Sequence, residues 1–144
     1  MKLKKTFGVV AALMLLLTWS STAVAQAPGI DFFHGTFDEA KMKAKKENKL
    51  IFLDAYTSWC GPCKRMAREA FTNAQVGEYF NSTFVNVKMD MERGEGPVVA
   101  RKYRVMAYPS LFFIRHDGSV AHRTVGFKTS TALLALGKTA AEKK

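Results

Sequence analysis

The chain changes its hydrophobic rhythm several times, and each change marks an element. Phe37, Ala40 and Ala44 recur at helical spacing, so Phe37 to Asn48 reads as an amphipathic helix. Thr36 with Glu39 three residues on has the pattern of a capping box at its start. Leu50-Ile51-Phe52-Leu53-Asp54-Ala55-Tyr56 is apolar except for Asp54, as expected of a strand covered on both faces. Met66, Ala67, Ala70, Phe71 and Ala74 return to helical spacing, and Val76, Tyr79 and Phe80 continue it. Val85, Val87 and Met89 then alternate with Asn86, Lys88 and Asp90, which is a strand rhythm.

The remaining segments are shorter. Ile30-Asp31-Phe32-Phe33 reads as a short first strand. Gly94 and Gly96 mark a loop, and Pro97 suits the first turn of a helix running to about Tyr103. Ser110 to Arg115 is a further strand, Asp117-Gly118 a hairpin turn, and Ser119 to Val125 its partner. Thr129 to Gly137 reads as a closing helix. Strands alternating with helices and ending in one hairpin predict an α/β fold, a mixed sheet covered on both sides.

The N-terminus follows a different logic. Lys2, Lys4 and Lys5 precede eleven residues from Phe7 to Leu17 that are apolar apart from one glycine. A more polar stretch follows, and Ala23-Val24-Ala25 offers small residues at the spacing a signal peptidase accepts. Residues 1–25 therefore read as a secretory signal and 26–144 as one domain. Left uncleaved, the uncharged run from Thr6 to Ala25 is long enough to anchor the chain in a bilayer.

Charge enters the picture mainly through this segment. The 144 residues carry a formal net charge of +10, and loss of the three lysines leaves +7. Lys41, Lys43, Lys45, Lys46 and Lys49 share their segment with Asp38, Glu39 and Glu47, which suits a solvated helix face. Nucleic acid is not an expected partner, since a basic, aromatic-lined surface is missing from the pattern.

The two cysteines are too few for a disulfide scaffold or a four-ligand zinc site. They stand as Cys60-Gly61-Pro62-Cys63, after the apolar strand and at the start of a helix. A helix N-terminus offers unpaired amides and a positive dipole end that stabilise a thiolate. Cys60, nearest that end, is the candidate attacking thiol, and Cys63, one turn on, the candidate resolving thiol. Pro62 holds its φ where no intrahelical amide is needed. Metal binding and a purely structural disulfide are the competing readings. Metal needs further ligands, and His34, His116 and His122 lie at no ligand spacing; a structural disulfide closing so short a loop constrains the unfolded chain little.

Trp59-Cys60-Gly61-Pro62-Cys63-Lys64, Val105-Met106-Ala107-Tyr108-Pro109-Ser110 and Val125-Gly126 together resemble the three site segments of the thioredoxin superfamily, in order and spacing. The resemblance runs from Ile30 to about Gly137 and is similar to secreted bacterial thioredoxin-like proteins. It implies a thioredoxin-like fold with a mixed sheet of about five strands and helices on both faces. It also implies that Pro109 follows a cis peptide and that Asp54 is a buried acid serving Cys63 by proton transfer. Trp59, Gly61, Pro62, Tyr108 and Gly126, with Ala107 and Phe127, would form an apolar substrate rim. Met66 and Met106 read as core filler before substrate contacts.

Asn86 stands where the family often places a lysine beside the acid, with Lys88 on the same strand face. The expected activity is thiol–disulfide exchange, with reduction of exported disulfide proteins the leading direction, in the periplasm. The expected partners are those substrates and an upstream thiol donor such as a membrane thiol relay. No dissociable cofactor, no metal and a monomer are expected. Disulfide oxidation, a thiol relay in cytochrome c maturation and a non-catalytic binding module are the alternatives.

Overall fold

The computed structural model describes residues 29–144, so the expected signal segment and its cleavage after Ala25 lie outside the described residues. The chain runs α1 (Phe37–Glu47), β1 (Leu50–Tyr56), α2 (Gly61–Glu69), α3 (Ala74–Thr83), β2 (Phe84–Asp90), α4 (Gly96–Tyr103), β3 (Ser110–Ile114), β4 (Val120–Val125) and α5 (Ser130–Ala141). The four strands lie in the order β2-β1-β3-β4, with β2 parallel to β1 and the other two pairs antiparallel. This is the expected thioredoxin-like mixed sheet with helices on both faces.

Alternation in the central strands divides the core in two. Ile51, Leu53 and Ala55 of β1, with Val85 and Val87 of β2 and Phe112 and Ile114 of β3, pack under α1 and α4. Leu50 and Phe52, with Phe84, Leu111 and Phe113, pack under α2, α3 and α5 through Met66, Phe80 and Leu133. Phe52 anchors this second layer, meeting Phe80 at 4.9 Å and Phe113 at 5.3 Å between ring centroids. Edge-to-face and tilted aromatic pairs of this kind add to the burial of their surface.

α1 starts as the sequence predicts. The Thr36 hydroxyl accepts the Glu39 N–H at 3.2 Å, and the Glu39 carboxylate accepts the Thr36 N–H at 2.7 Å. Gly118, at φ 88°, lets the chain reverse between β3 and β4.

Two expectations are corrected. Ile30 to Phe33 is not a strand, because side-chain amides take the groups a ladder would use. Asn81 Oδ1 accepts the Asp31 N–H at 2.8 Å and Asn86 Nδ2 donates to the Asp31 carbonyl at 3.2 Å. Only Phe33 N–H reaches the β2 backbone, donating to the Asn86 carbonyl at 2.7 Å. The helical pattern from Met66 to Phe80 is also two helices. Asn73 interrupts it, its side chain accepting the Val76 N–H at 3.1 Å and starting α3 afresh. Gly77 of α3 then lies against the Gly29 carbonyl, where a Cβ would collide.

Candidate redox site

The site is assembled at the end of β1. After Tyr56 the chain turns, and the Thr57 carbonyl accepts the Cys60 N–H at 3.2 Å. Cys60 is the N-cap of α2, and its Sγ accepts the Cys63 N–H at 3.2 Å. A sulfur thus occupies the place that serine or aspartate takes in ordinary caps. Pro62 lies in the first turn, where its missing N–H leaves no intrahelical bond unmade.

Cys60 and Cys63 are joined in a disulfide with Cα atoms 5.3 Å apart. They are 3% and 2% exposed. On reduction, a thiolate at Cys60 would face the unpaired amides and positive dipole end of α2. The fold therefore supplies the electrostatics that thiol–disulfide exchange needs.

Asp54 is fully buried on the β1 face that carries Phe52. Burial pushes its carboxyl above the ordinary aspartate range, and the charge and hydrogen bond of Lys88 oppose part of that rise. Strand register explains the partner. Asp54 stands opposite Lys88, at 2.6 Å between Oδ2 and Nζ, whereas Asn86 stands opposite Phe52. Lys88, not the residue at the aligned position, is the acid's cation. Asn86 instead holds the segment before α1. Asp54 Oδ1 and the Thr57 hydroxyl are buried with no protein partner, so the acid keeps an acceptor for a proton carrier.

The Tyr108–Pro109 peptide is cis, and the Pro109 carbonyl accepts the Gly126 N–H at 2.8 Å. That bond ties together two of the three segments marked in the sequence. Trp59 joins the third, its ring 5.8 Å from Tyr108 and edge-on to it. The Trp59 indole N–H donates to both Glu92 carboxylate oxygens, at 3.0 and 3.1 Å. Glu92 carried no signal in the sequence. Its role comes from the loop after β2 folding over the Trp59 turn.

Trp59 is 64% exposed, and Gly61, Pro62 and Ala107 are also exposed, with Tyr108, Gly126 and Phe127 half-buried. Met66 is core, but Met106 is 90% exposed, which corrects its reading as core filler. Met106 lies between α4 and β3, where no element covers it. Its neighbours in sequence, Val105 and Ala107 to Pro109, make it part of a site segment.

His34 and His116 are exposed and His122 lies on β4. Among the described residues, no group of three or more His, Cys, Asp or Glu side chains is placed to hold a metal ion. No helix among them is long and apolar enough to cross a membrane. A cavity of about 360 Å³ opens beside Phe84 and Asn86, but it contains neither cysteine.

Comparison with known proteins adds to this geometry. The family model Thioredox_DsbH, described as a protein of unknown function, DUF255, matches residues 21–111. A thioredoxin H-type protein of Oryza sativa subsp. indica is 35% identical over 109 residues, covering 73% of this chain and 84% of that one. A solution structure from Bacteroides thetaiotaomicron, of a candidate disulphide-isomerase, is 48% identical with a TM-score of 0.71, covering 83% of this chain and 99% of that one. A DsbH oxidoreductase at 20% identity and a TM-score of 0.70 covers 81% of this chain and 89% of its own, and shares the fold.

Proposed function

The chain belongs to the thioredoxin/DsbH-like family of thiol–disulfide oxidoreductases, and from that premise we propose that it reduces disulfides of exported proteins. The observation that carries this reading is Cys60 capping α2 with its sulfur while Cys63 follows one turn on.

The Cys60 thiolate attacks one sulfur of a substrate disulfide. A mixed disulfide forms and the other substrate sulfur leaves as a thiolate. Cys63 then gives its proton through water to the Asp54 carboxylate and attacks the Cys60 sulfur. The second substrate sulfur leaves, taking up a proton, and Cys60–Cys63 remains oxidised. Two electrons have passed to the substrate, and an upstream dithiol must return them by the same exchange. Asp54 suits the proton step because its raised titration brings it toward the thiol range.

The exposed Trp59 and Met106, with Tyr108 beside them, suit a protein substrate laid across the site. Its extended backbone would pair beside cis-Pro109 in β-augmentation fashion. Residues 1–25 support export to the periplasm, where a membrane thiol relay is the expected donor. Gly61-Pro62 supports the reducing direction, since that dipeptide belongs to reducing members of the resembled family and no histidine stands between the cysteines.

A Cys63→Ser variant should accumulate mixed disulfides through Cys60, and Cys60→Ala should accumulate none. Absence of any trapped species from Cys63→Ser in its own compartment would overturn the redox reading. A pair found mostly reduced in cells supports the reductase, and a mostly oxidised pair speaks for an oxidase. The Bacteroides relative favours one second reading, the reshuffling of substrate disulfides. Reshuffling needs only the first attack, so Cys63→Ala would retain it and lose net reduction.

A further inference from the structure

Lys88 Nζ is held by more than Asp54. It lies 4.1 Å from the centroid of the Tyr56 ring, 5.2 Å from that of Phe71 and 5.9 Å from that of Phe32. Aromatic faces within about 6 Å attract an ammonium through the ring quadrupole. Three rings from three separate segments therefore converge on one cation.

Phe32 is the unusual member, because it precedes every element of the sheet. Its segment is strapped to β2 and α3 by the Asn86 and Asn81 amides, through both polar groups of the Asp31 backbone. Those straps bring the Phe32 ring edge-on to Phe71 at 5.4 Å. Asn86, the departure from the family pattern, and Lys88, the displaced cation, thus belong to one arrangement.

We propose that Phe32, Tyr56 and Phe71 form a positioning cage that keeps the Lys88 ammonium on the Asp54 carboxylate, bringing the segment before α1 into control of the redox site. This rests on the proton-transfer role proposed for Asp54. Lys88 is partly exposed and its four-carbon stem is flexible, so without the cage the ammonium can leave Asp54 for water. The carboxyl would then keep its full burial and lose part of its counter-charge. Around the pair stand Tyr56, on the same strand as Asp54, and Asp90 and Arg93 near the Tyr56 ring; β3 faces Asp54 with Leu111.

The test is a carbon-13 NMR titration of the Asp54 carboxyl in the oxidised full chain, which needs no turnover. Phe32→Leu keeps an apolar side chain and removes the ring; its Asp54 titration should move up by about half a pH unit. Tyr56→Leu, at the nearest ring, should move it further, and Phe32→Tyr should restore the wild-type curve. The low-pH limb of mixed-disulfide resolution should move by the same amount. Loss of thermal stability with an unmoved Asp54 titration in both leucine variants would overturn the cage. A moved titration in a chain whose wild type exchanges no disulfides would uphold the cage and overturn the redox reading.

Discussion

The two faces of the β1–β2 pair are built to different rules. Toward α1 and α4 the buried positions of these strands are Ile51, Leu53, Ala55, Val85 and Val87, all apolar. Toward α2 and α3 the same strands present Phe52 and Phe84, then Asn86, Asp54 and Lys88. A buried carboxylate costs stability unless paired, and here one of its oxygens has no protein partner. The difference is one of kind: one face is apolar at every buried position of these strands, and the other buries an acid with its cation beside aromatic rings.

The widest separation should come from truncating the apolar face. Leu53→Ala, at a fully buried position, should cost about 2–5 kcal/mol in chemical denaturation. The Asp54 titration and the exchange rate per folded molecule should stay as they are. A change in either would mean the two faces are coupled.

Asp54→Asn should act in the opposite sense, leaving the fold more stable than wild type at alkaline pH while slowing the Cys63 step. The sign follows from the raised titration of Asp54, which makes the folded state bind its proton more tightly than the unfolded chain. Wild type therefore loses stability as pH rises from about 3.9, the unfolded aspartate value, through the raised folded value. The gap between variant and wild type should be near zero below that window and widest above it. Denaturation curves at several pH values read this directly, and a gap independent of pH would refute it.

Lys88→Met should raise the Asp54 titration by about one unit, since an opposite charge at contact distance is removed. The low-pH limb of resolution should follow. The smallest effect is expected at the rim of the apolar face. Thr36→Ala removes one cap bond of α1, costs about 1 kcal/mol and leaves the exchange rate untouched.

Much of the molecule was legible because its signals are local. The apolar run of β1, the Thr36–Glu39 capping box and the Asp117-Gly118 turn each act within a few residues, and each stands where the pattern put it. The cysteine pair was legible for the same reason, since a helix start and a spacing of three bring two sulfurs together. The split at Asn73 was also local, an N-cap hidden inside an unbroken helical spacing, but the other misreadings depended on distant partners. Ile30 to Phe33 lost its strand to Asn81 and Asn86, 50 and 55 residues from the Asp31 they hold. Met106 has the composition of core and the position of surface, a matter of what packs over it.

The sequence by itself determined most of the elements, the family and the candidate nucleophile, because periodicity, capping and the Cys-x-x-Cys spacing are short-range properties. Only the tertiary structure decided which cation serves Asp54, that Glu92 holds Trp59, and that Phe32 reaches Lys88. Those are contacts between segments 33 to 56 residues apart, settled by strand register and by the straps that Asn81 and Asn86 place on the chain before α1.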